Sequence, residues 1–507
     1  MPAARKDPRL LIVTPEITYL PEGMGNMANY LTAKAGGLAD VSAALVSSLY
    51  GRGVDVHVAL PNYRTMFNRN IGRFINRQLD IYRSKLPTDR IHLAEDRCFY
   101  YRDSVYHNTA VENFKLATAF QREVINNILP MVQPDLIHCN DWMTGIIPAV
   151  AKRLGIPCLF TVHNIHSMKA TLADIEDTGV DAAQFWPYLY YDHPPLNYEE
   201  TREGNTCDFL LSGIFSSTYV NTVSPTFLKE IVRGQHSFVA KSVQQEFAAK
   251  FERGYARGIL NSPDPHFDPT KDEHLIKPYG PNSHFEGKKL NKLALQRYLG
   301  LVEDEDAPLF FWPSRLDPVQ KGCQLLADVF YDILSRYARE RLQIAVIANG
   351  PFKDTLVDLV RKADMHRRVS VTAFEERLSH LGYAAADFLF MPSSFEPCGL
   401  PQMIGPIYGT LPIAHDTGGI HDTVRHLSVE KSQGNGFLFE IHDAMGFRWG
   451  VDQAMKFFKL APETKFKEIR RIMTEGKKQF NQAHTAERYM EIYRLLLGLP
   501  QKGDPEG

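Results

Sequence analysis

The stretch MPSSFEPCGLPQM, residues 391–403, places a carboxylate, a thiol and a glycine directly after the apolar run FLFMP. Three kinds of site are compatible with it: a cysteine nucleophile, a metal site, or a cradle for a bound molecule. Cys398 as a nucleophile needs a base and an orienting group, and a metal at Glu396 and Cys398 needs further ligands at short spacing. A cradle needs no missing residue, because Glu396 accepts hydrogen bonds from hydroxyl groups while the backbone of Cys398, Gly399 and Leu400 donates them.

Two pairs of adjacent glycines stand where predicted helices begin. The first pair lies in KAGGLADV, with Lys34, Gly36, Gly37 and Asp40, and the second lies in DTGGIHDTV, with Thr417, Gly418 and Gly419. The N-terminus of a helix presents free backbone N–H groups and about half a positive charge, so it attracts anions. Both segments therefore predict sites for phosphate or a hydroxyl-rich ligand. For the first segment, a glycine-rich turn with a solvated lysine is an equal alternative.

Two cations follow another predicted strand. Arg315 and Lys321 lie in FFWPSRLDPVQKG, after the apolar run LFFW. Charge-assisted hydrogen bonds to phosphate are worth roughly 1.5 to 3 kcal/mol each, so two cations together suit a diphosphate leaving group. The alternative is a pair of surface cations, but their position at the end of a strand favours a functional role.

A carboxylate and an imidazole end two strands in the N-terminal half. Asp141 ends DLIHCND and His163 ends CLFTVHN, so both are expected at one edge of the sheet, where they would orient hydroxyl groups of a polar substrate. A metal site is the weaker interpretation, since His138, His163 and His166 lack HExxH or comparable spacing. The acidic run 304–306 precedes a strand and is interpreted as a solvated turn. We therefore predict no metal site.

The segment GMGNMA, residues 23–28, matches a dinucleotide-binding pattern with alanine in the last position. It begins several residues after the first predicted strand, and no acidic residue ends a second strand at the distance expected for a ribose contact. We interpret it as part of an inserted loop, ITYLPEGMGNMANYLT, rather than as a nicotinamide site.

Short apolar strands alternate with helical segments in both halves of the chain. The predicted strands cover residues 9–15, 54–60, 135–140, 158–164, 218–224, 309–315, 342–350, 369–374, 387–393 and 410–416. Helical spacing occurs between them, as in ADVSAALVSSLYGRG and KGCQLLADVFYDILSRYARE. This alternation predicts an α/β fold with two doubly wound, Rossmann-like parallel sheets that face each other. Ligands bind beyond the carboxyl ends of such strands, where the motifs above are found.

At 507 residues the chain is too long for one core, because cores stop growing near roughly 250 to 300 residues. The segment 261–289 is rich in Pro, Asp, His and Gly and lacks a sustained apolar period, which is typical of a crossing between domains. We predict one domain over 1–262 and a second over 263–484. A C-terminal helix and tail over 485–507 are expected to pack back on the N-terminal domain.

The composition excludes several classes of partner. With 44% hydrophobic residues, 23% charged residues and a net charge of −2, nothing global favours nucleic acid or an acidic membrane surface. The six cysteines are scattered without CxxC pairs, which is typical of reduced thiols in a cytoplasmic protein. The apolar run near the N-terminus is too short for a signal peptide or a membrane span. We expect a cytoplasmic protein that neither binds nucleic acid nor spans a membrane.

Taken together, these motifs closely resemble those of the bacterial glycogen synthase and plant starch synthase family of retaining glucosyltransferases. The matching segments are KAGGLADV, HCNDW, FTVHNI, NTVSPTFLKEI, GILN, SRL with QKG, and SSFEPCGLPQM with YGTLPIAHDTGGIHDTV. The last is the most specific, because phosphorylases and other enzymes of this architecture lack it. The resemblance implies the GT-B fold, with an active-site cleft between an acceptor-side N-terminal domain and a nucleotide-sugar-binding C-terminal domain.

The resemblance also implies a role for each matching residue. The implied catalytic residues are Lys34, Asp141, His163, Arg315, Lys321 and Glu396. The implied donor-binding residues are Gly36, Gly37, Asp40, Asn261, Cys398, Gly399, Leu400, Thr417, Gly418 and Gly419. Arg315 and Lys321 would bind the phosphates of the leaving group, and Glu396 would hold the glucose 3-hydroxyl. Asp141 and His163 would border the donor glucose.

The implied reaction transfers glucose from ADP-glucose to the 4-hydroxyl at the non-reducing end of an α-1,4-glucan, with retention of configuration. The partners are then a nucleotide-sugar donor and a glucan acceptor. No cofactor is implied, because positive side chains and helix N-termini neutralise the diphosphate without a metal. Two alternatives stay open: a related GT-B transferase that uses UDP-glucose or another glycan acceptor, and a catalytically weakened glucan-binding or regulatory homologue. Retention of Lys34, Arg315, Lys321 and Glu396 argues against the second.

The sequence departs from the family pattern at several positions. Residues 317–319 lengthen the spacing between SRL and QKG by one residue. Ser394 and Pro401 stand where the family usually has arginine and threonine, and Leu211 stands where it often has lysine. These departures place the chain on a divergent branch of the family.

Overall fold

The computed structural model describes residues 8–25, 28, 31–71, 90–107 and 109–500. They form two compact units. Unit 1 contains the described residues up to Asn261 and those from Gln482 onward, and unit 2 is Ser262–Asn481. The chain therefore leaves and re-enters unit 1 close to the expected limits at 262 and 484. None of the helices in the described ranges is both long and apolar enough to cross a membrane.

Unit 1 is built on a parallel sheet of seven strands. In chain order its strands are β1 (Arg9–Val13), β2 (Asp55–Pro61), β3 (Ile91–Ala94), β4 (Leu136–Asn140), β5 (Cys158–Val162), the separate antiparallel pair β6 (Lys169–Ala170) and β7 (Cys207–Asp208), then β8 (Tyr219–Thr222) and β9 (Ala256–Gly258). The order across the large sheet is β3-β2-β1-β4-β5-β8-β9. All five strands predicted for this half are confirmed. Strands β3 and β9 were not predicted. The three residues of β9 are too few to show a period, and the short apolar run of β3 is interrupted by His92.

Helices cover the sheet of unit 1 and bury its strands. They are α1 (Gly37–Gly51), α2 (Arg64–Ile71), α3 (Arg97–Tyr100), α4 (Ala110–Glu123), α5 (Leu129–Val132), α6 (Ile147–Leu154), α7 (Leu172–Glu176), α8 (Tyr198–Gly204), α9 (Phe209–Ser216), α10 (Pro225–Val232) and α11 (Lys241–Glu252). Strands buried on both faces have continuous apolar sequences, as in LIHCN of β4, where every residue is buried.

Unit 2 repeats this architecture with six parallel strands. They are β10 (Leu309–Trp312), β11 (Gln343–Ile347), β12 (Val369–Thr372), β13 (Phe388–Met391), β14 (Leu411–His415) and β15 (Phe437–Phe439), in the order β12-β11-β10-β13-β14-β15. Its helices are α12 (His284–Leu299), α13 (Cys323–Arg336), α14 (Lys353–Lys362), α15 (Glu376–Ala385), α16 (Pro401–Tyr408), α17 (Gly418–Thr423), α18 (Ala444–Phe458) and α19 (Pro462–Gln479). The five predicted strands are confirmed, and the three-residue strand β15 was missed.

The last helix, α20 (Gln482–Leu497), belongs to unit 1, where it packs against α1 and β4. Tyr489, Ile492 and Tyr493 are buried in the core of that unit. The Tyr493 hydroxyl donates to Nδ1 of His138 at 2.8 Å, and Asn221 donates to the Tyr489 hydroxyl at 3.1 Å. His138 is a core residue of β4 whose pKa burial lowers to about 3, so it is neutral. Because the Thr161 hydroxyl donates to Asn221, Nε2 of His138 donates to Thr161 and Nδ1 accepts from Tyr493.

Each sheet has one point where the strand order reverses. It lies between β1 and β4 in unit 1 and between β10 and β13 in unit 2. Ligands of doubly wound sheets bind in the crevice at the carboxyl ends of these strands. Most of the motifs singled out in the sequence follow these four strands or their immediate neighbours, β5 and β14.

Candidate active site

In unit 1, Asp141 and His163 are in direct contact. They follow the neighbouring strands β4 and β5, and the backbone N–H of His163 donates to Oδ1 of Asp141 at 2.7 Å. The His163 ring donates from Nε2 to Oδ1 of Asn140 at 2.9 Å. Asp141 has a φ of 59° and a ψ of 175°, a conformation that is found almost only in glycine and costs other residues about 1 to 3 kcal/mol. Such conformations cluster at functional sites. The sequence predicted only that Asp141 and His163 lie at the same end of the sheet. The parallel pairing of β4 and β5 brings them into contact.

Burial controls the ionisation of both groups. It raises the pKa of Asp141 to about 7, against which the backbone N–H groups of His163 and Asn164 act. Burial also lowers the pKa of His163 to about 3, so the imidazole is neutral near pH 7. Near pH 7 the two groups are therefore a neutral imidazole and a carboxyl that is close to its pKa.

The pH dependence of stability should report on Asp141. Its carboxyl has a pKa of 3.8 in an ordinary environment and about 7 in the fold, so folding takes up a proton between these values and stability falls as pH rises through this window. Asp141→Asn keeps an acceptor for His163 but cannot titrate. Between about pH 5 and pH 7.5, we expect unfolding free energy to fall by on the order of 2 kcal/mol more in the wild type than in the variant. Chemical denaturation at both pH values checks this, and equal changes would contradict it.

The KAGG segment of unit 1 differs from the expectation of a free anion site. Lys34 forms an ion pair with Asp40 in the first turn of α1, with 2.8 Å between Nζ and Oδ2. The backbone N–H groups of Ala35 and Gly36 both donate to the buried carboxylate of Glu16, at 2.5 and 3.0 Å. The prediction of free amides was therefore wrong for these two residues, and α1 itself begins only at Gly37.

Glu16 is the main residue that sequence reasoning missed. It lies in the segment TPE, shortly after β1 and at the reversal of strand order. A carboxylate at that point was the available signal.

The nearby GMGNMA segment does not continue directly from β1 into a helix. Glu22–Met24 forms a single short helical turn, Met24 is buried, and a Cβ at Gly23 would overlap the Tyr50 ring of α1. Asn26 and Met27 lie outside the described residues. The described part of the segment packs on α1 as a loop.

In unit 2, Lys321 and Glu396 form a buried ion pair. Nζ and Oε2 are 2.6 Å apart, with side-chain exposures of 12% and 6%. The Ser393 hydroxyl donates to the same carboxylate oxygen at 3.0 Å. From the sequence, Lys321 was expected to bind phosphate and Glu396 to bind a sugar. The structure adds an ion pair between them, which fixes the position of both side chains.

The longer connection after β10 does not remove Lys321 from this site. Ser394, at the family's arginine position, donates its N–H to the Gln320 carbonyl at 2.9 Å and its hydroxyl to the Val319 carbonyl at 2.9 Å. These bonds join the lengthened loop to the Glu396 loop. Arg315 lies on the same connection, is exposed, and within the described ranges has no hydrogen-bond or ion-pair partner.

The turn containing Cys398, Gly399 and Leu400 is held by Gln402. The Gln402 side chain donates to the carbonyls of Cys398 and Gly399 at 2.7 and 3.0 Å. Gly399 has a φ of 74°, which favours glycine, and Leu400 directly precedes α16. Cys398 is buried, which agrees with a role for its backbone rather than its thiol.

The TGG segment packs directly on this turn. Thr417 precedes α17, Gly418 has a φ of 46°, and the N–H of Gly419 donates to the Glu396 carbonyl at 2.9 Å. A Cβ at Gly419 would overlap the Cys398 backbone. The connections that follow β10, β13 and β14 thus come together at the carboxyl ends of these strands in unit 2.

Two substitutions at glycines should separate packing from ligand contact. Gly419→Ala forces the two loops apart, so we expect a loss of about 1 to 3 kcal/mol in stability together with lower turnover. Gly36→Ala is the matched control, because its Cβ would have no atom within 4 Å and its φ of −154° suits any residue. Gly36 is the N-cap of α1, where alanine is less favourable than glycine, so Gly36→Ala should cost at most about 1 kcal/mol in stability. A large fall in its turnover would therefore report contact with the substrate. Unchanged stability of Gly419→Ala would contradict the packing argument.

Asn261 is the remaining predicted donor contact and ends the first segment of unit 1. It is 5% exposed, and its Oδ1 has no hydrogen-bond partner among the described residues. A buried acceptor without a partner costs about 1 to 3 kcal/mol, which is typical of a group that binds a ligand or water.

The structure also accounts for two possible metal sites. In the run 304–306, Asp304 pairs with Arg341 and accepts the N–H of Asp306, as in a surface turn. Within the described part of the chain, Asp272, His274 and His380 of unit 2 have potential ligand atoms within 4.8 Å of one another. Asp272 already accepts hydrogen bonds from Tyr408, from the His380 ring and from the backbone of His274, which makes this group a hydrogen-bonded part of the fold.

Comparison with known proteins places both units in known families. The starch synthase catalytic domain family matches residues 10–245, and the group 1 glycosyl transferases match residues 300–465. Glycogen synthase from Clostridioides difficile is 32% identical over 494 residues, covering 91% of this chain and 96% of the relative. Glycogen synthase from Exiguobacterium sibiricum is 30% identical over 491 residues, with the same coverage of 91% and 96%.

Solved structures share the fold. The catalytic domain of starch synthase IV from Arabidopsis thaliana, solved with ADP and acarbose, is 24% identical with a TM-score of 0.77, covering 97% of this chain and 100% of that one. Sucrose-phosphate synthase from Thermosynechococcus elongatus is 16% identical with a TM-score of 0.59 and covers 97% and 99%. The paired parallel-sheet units have the GT-B fold, and the chain belongs to the glycogen synthase and starch synthase family of hexosyltransferases.

Proposed function

We propose that the protein transfers glucose from ADP-glucose to the 4-hydroxyl at the non-reducing end of an α-1,4-glucan, with retention of configuration, in the cytoplasm. The observation that carries the proposal is the buried Lys321–Glu396 pair at the reversal of strand order in unit 2, next to the converging EPCGL and TGG loops. Glycogen synthases matched over nearly their whole length support the glucan acceptor. The ADP in the starch synthase IV structure supports an adenine nucleotide donor.

The cations of unit 2 suit a diphosphate leaving group. Exposed Arg315 has no described partner to compete with phosphate, and Lys321 is held at a fixed position by Glu396. In the proposed reaction, the bond between the anomeric carbon and the phosphate oxygen breaks and its electron pair goes to the diphosphate. The acceptor 4-oxygen bonds to the same face of that carbon, and its proton passes to the departing phosphate. Stabilising the diphosphate therefore lowers the barrier directly.

Glu396 would bind the sugar rather than attack it. Its Oε2 is occupied by Lys321 and Ser393, which fixes the orientation of the carboxylate while Oε1 accepts from a glucose hydroxyl. The backbone of Cys398, Gly399 and Leu400 would contact the same sugar, and Thr417 with Gly418 would contact the ribose and phosphate. No enzyme nucleophile is needed, which suits the burial of the Cys398 thiol.

The residues of unit 1 would act on the glucose and its diphosphate. Lys34, whose side chain is 41% exposed, would face the diphosphate, and Asp40 would hold the Lys34 side chain in place. His163, neutral because its pKa lies at about 3, would border the glucose through its backbone carbonyl and ring, with Asp141 beside it. We propose that Lys34, Arg315 and Lys321 replace a metal, so that a chelator should leave turnover unchanged.

A donor comparison tests the proposal. Purified protein is incubated with glycogen and either ADP-glucose or UDP-glucose, while nucleotide release and glucan extension are both measured. We expect both to occur with ADP-glucose, at a rate that exceeds the UDP-glucose rate at equal concentration. Faster turnover of UDP-glucose would support the related transferase instead. Glucan binding without turnover of either donor, in folded protein, would support the weakened homologue and refute the proposal.

A further inference from the structure

Glu16 is a buried carboxylate that the proposed reaction does not yet use. It follows β1 at the reversal of strand order in unit 1 and is 2% exposed. Its Oε2 accepts the N–H groups of Ala35 and Gly36 at 2.5 and 3.0 Å, and its carboxyl also bonds to the Tyr106 side chain. These are the two amides immediately before α1.

The cation near Glu16 is Lys34, and its ammonium group forms an ion pair with Asp40. Nζ of Lys34 and Oδ2 of Asp40 are 2.8 Å apart, and within the described residues the hydrogen bonds of Glu16 come from neutral donors. Burial raises the pKa of Glu16, against which the two amides act. Burying a carboxylate is costly unless it is hydrogen-bonded, and the amides of Ala35 and Gly36 offset part of that cost here.

Glu16 and the following residue hold the chain on both sides of Lys34. Ile17 and Ala33 exchange backbone hydrogen bonds, with N–O distances of 2.9 and 2.7 Å. Glu16 binds the amide of Ala35, which directly follows Lys34. The Lys34 backbone is thus fixed at its preceding and following residues, which leaves the side chain a short path to Asp40.

We propose that Glu16 is a positioning residue that orients Lys34 toward the donor by binding the amides of Ala35 and Gly36. This inference rests on the proposed function, in which Lys34 faces the diphosphate. Because the amides of Ala35 and Gly36 already bind Glu16, they are not the groups in unit 1 that contact the donor phosphate. The Lys34 side chain takes that role.

The positioning role depends on the reach of the side chain and not on its charge. Glu16→Gln keeps the length and one oxygen that accepts both amides, and its NH2 group suits the Tyr106 hydroxyl. Glu16→Asp keeps the charge but shortens the side chain by one methylene, so its oxygens withdraw from Ala35 and Gly36. Glutamine should therefore preserve the function of Glu16 and aspartate should not.

The test compares both variants with wild type and with Tyr63→Phe. Tyr63 donates to the Pro15 carbonyl at 3.1 Å, so its variant is a control that removes a neighbouring buried hydrogen bond without touching the KAGG segment. For Glu16→Asp we expect kcat/KM for ADP-glucose to fall about 10- to 100-fold, with KM for glycogen unchanged. For Glu16→Gln and Tyr63→Phe, kcat/KM should stay within about threefold of wild type. Glu16→Asp as active as Glu16→Gln, or less impaired than it, would overturn the proposal.

Hydrogen exchange supplies a readout that needs no turnover. The peptide containing Ala35 and Gly36 should exchange faster in Glu16→Asp than in wild type or Glu16→Gln, and equal exchange would overturn the positioning role. If wild type fails to use ADP-glucose but the exchange difference is found, the proposed donor is wrong and the role of Glu16 in holding the segment stands.

Discussion

The double variant Lys321→Met with Glu396→Gln should fold nearly as stably as wild type and transfer no measurable glucose. Each single variant should be less stable, because it leaves one member of a pair with side-chain exposures of only 12% and 6% without its partner. Breaking a buried pair costs about 3 to 5 kcal/mol, whereas replacing both members with neutral groups is often close to neutral. The double variant therefore separates the structural role of the pair from its chemical role.

The expected loss of turnover is large because, under the proposed function, Lys321 stabilises the charge that develops on the diphosphate and Glu396 holds the glucose. Removing one such preorganised contact typically lowers kcat about 10²- to 10³-fold. We expect at least this loss for either single variant and no recovery in the double variant. Thermal unfolding and initial rates with ADP-glucose and glycogen are the measurements.

A second ion pair in the same unit provides the control. Lys292 and Asp387 are 2.7 Å apart, with side-chain exposures of 5% and 22%. Asp387 directly precedes β13, whereas Glu396 follows it, so the two carboxylates lie at opposite ends of that strand. Lys292→Met with Asp387→Asn should alter stability while leaving kcat of the folded protein unchanged. Recovery of turnover in the Lys321/Glu396 double variant would show that the pair is structural only.

Removing α20 should prevent unit 1 from folding. A chain that ends after Asn481 lacks Tyr489, Ile492 and Tyr493, each 4% exposed or less, and burial of such side chains is worth about 1.5 to 3 kcal/mol each. Their loss also leaves His138 and Asn221 without hydrogen-bond partners in α20, at about 1 to 3 kcal/mol each. The sum is comparable with the whole stability of a typical domain, about 5 to 15 kcal/mol.

Limited proteolysis with mass spectrometry checks this result. In the truncated chain, protease should remove unit 1 and leave a resistant fragment that corresponds to Ser262–Asn481. Tyr493→Phe should give a smaller loss, because it removes only the bond to His138. Leu495→Ala is the control on the same helix, since Leu495 is 54% exposed and its loss should be tolerated. A resistant unit 1 in the truncated chain would show that α20 is dispensable.

Much of the fold was predictable because the strands are buried on both faces. Such strands have continuous apolar sequences, so runs such as LIHCN and FLFM identified β4 and β13 directly. Among the strands of the two large sheets that escaped prediction, β9 and β15 have only three residues and β3 has four. The helix after KAGG was also evident, because its glycine pair and apolar period coincide.

The site was predictable in its residue types but not in its contacts. Lys321 and Glu396 were both singled out, yet their ion pair joins residues 75 positions apart. Their contact depends on β10 and β13 being neighbours, which periodicity does not encode. The occupation of the Ala35 and Gly36 amides by Glu16 follows in the same way from how the chain after β1 folds against the start of α1.

The sequence by itself determined most of the strands of both sheets, the residues that follow them, and the family to which the chain belongs, because these depend on local apolar patterns and short motifs. Only the tertiary structure decided that the expected packing of α20 on unit 1 passes through Tyr493 and His138, that Ser394 joins the lengthened Lys321 loop to the Glu396 loop, and that Glu16 holds the segment beside Lys34. The physical reason is that these contacts depend on strand order and on burial, which bring together side chains and amides that are distant along the chain.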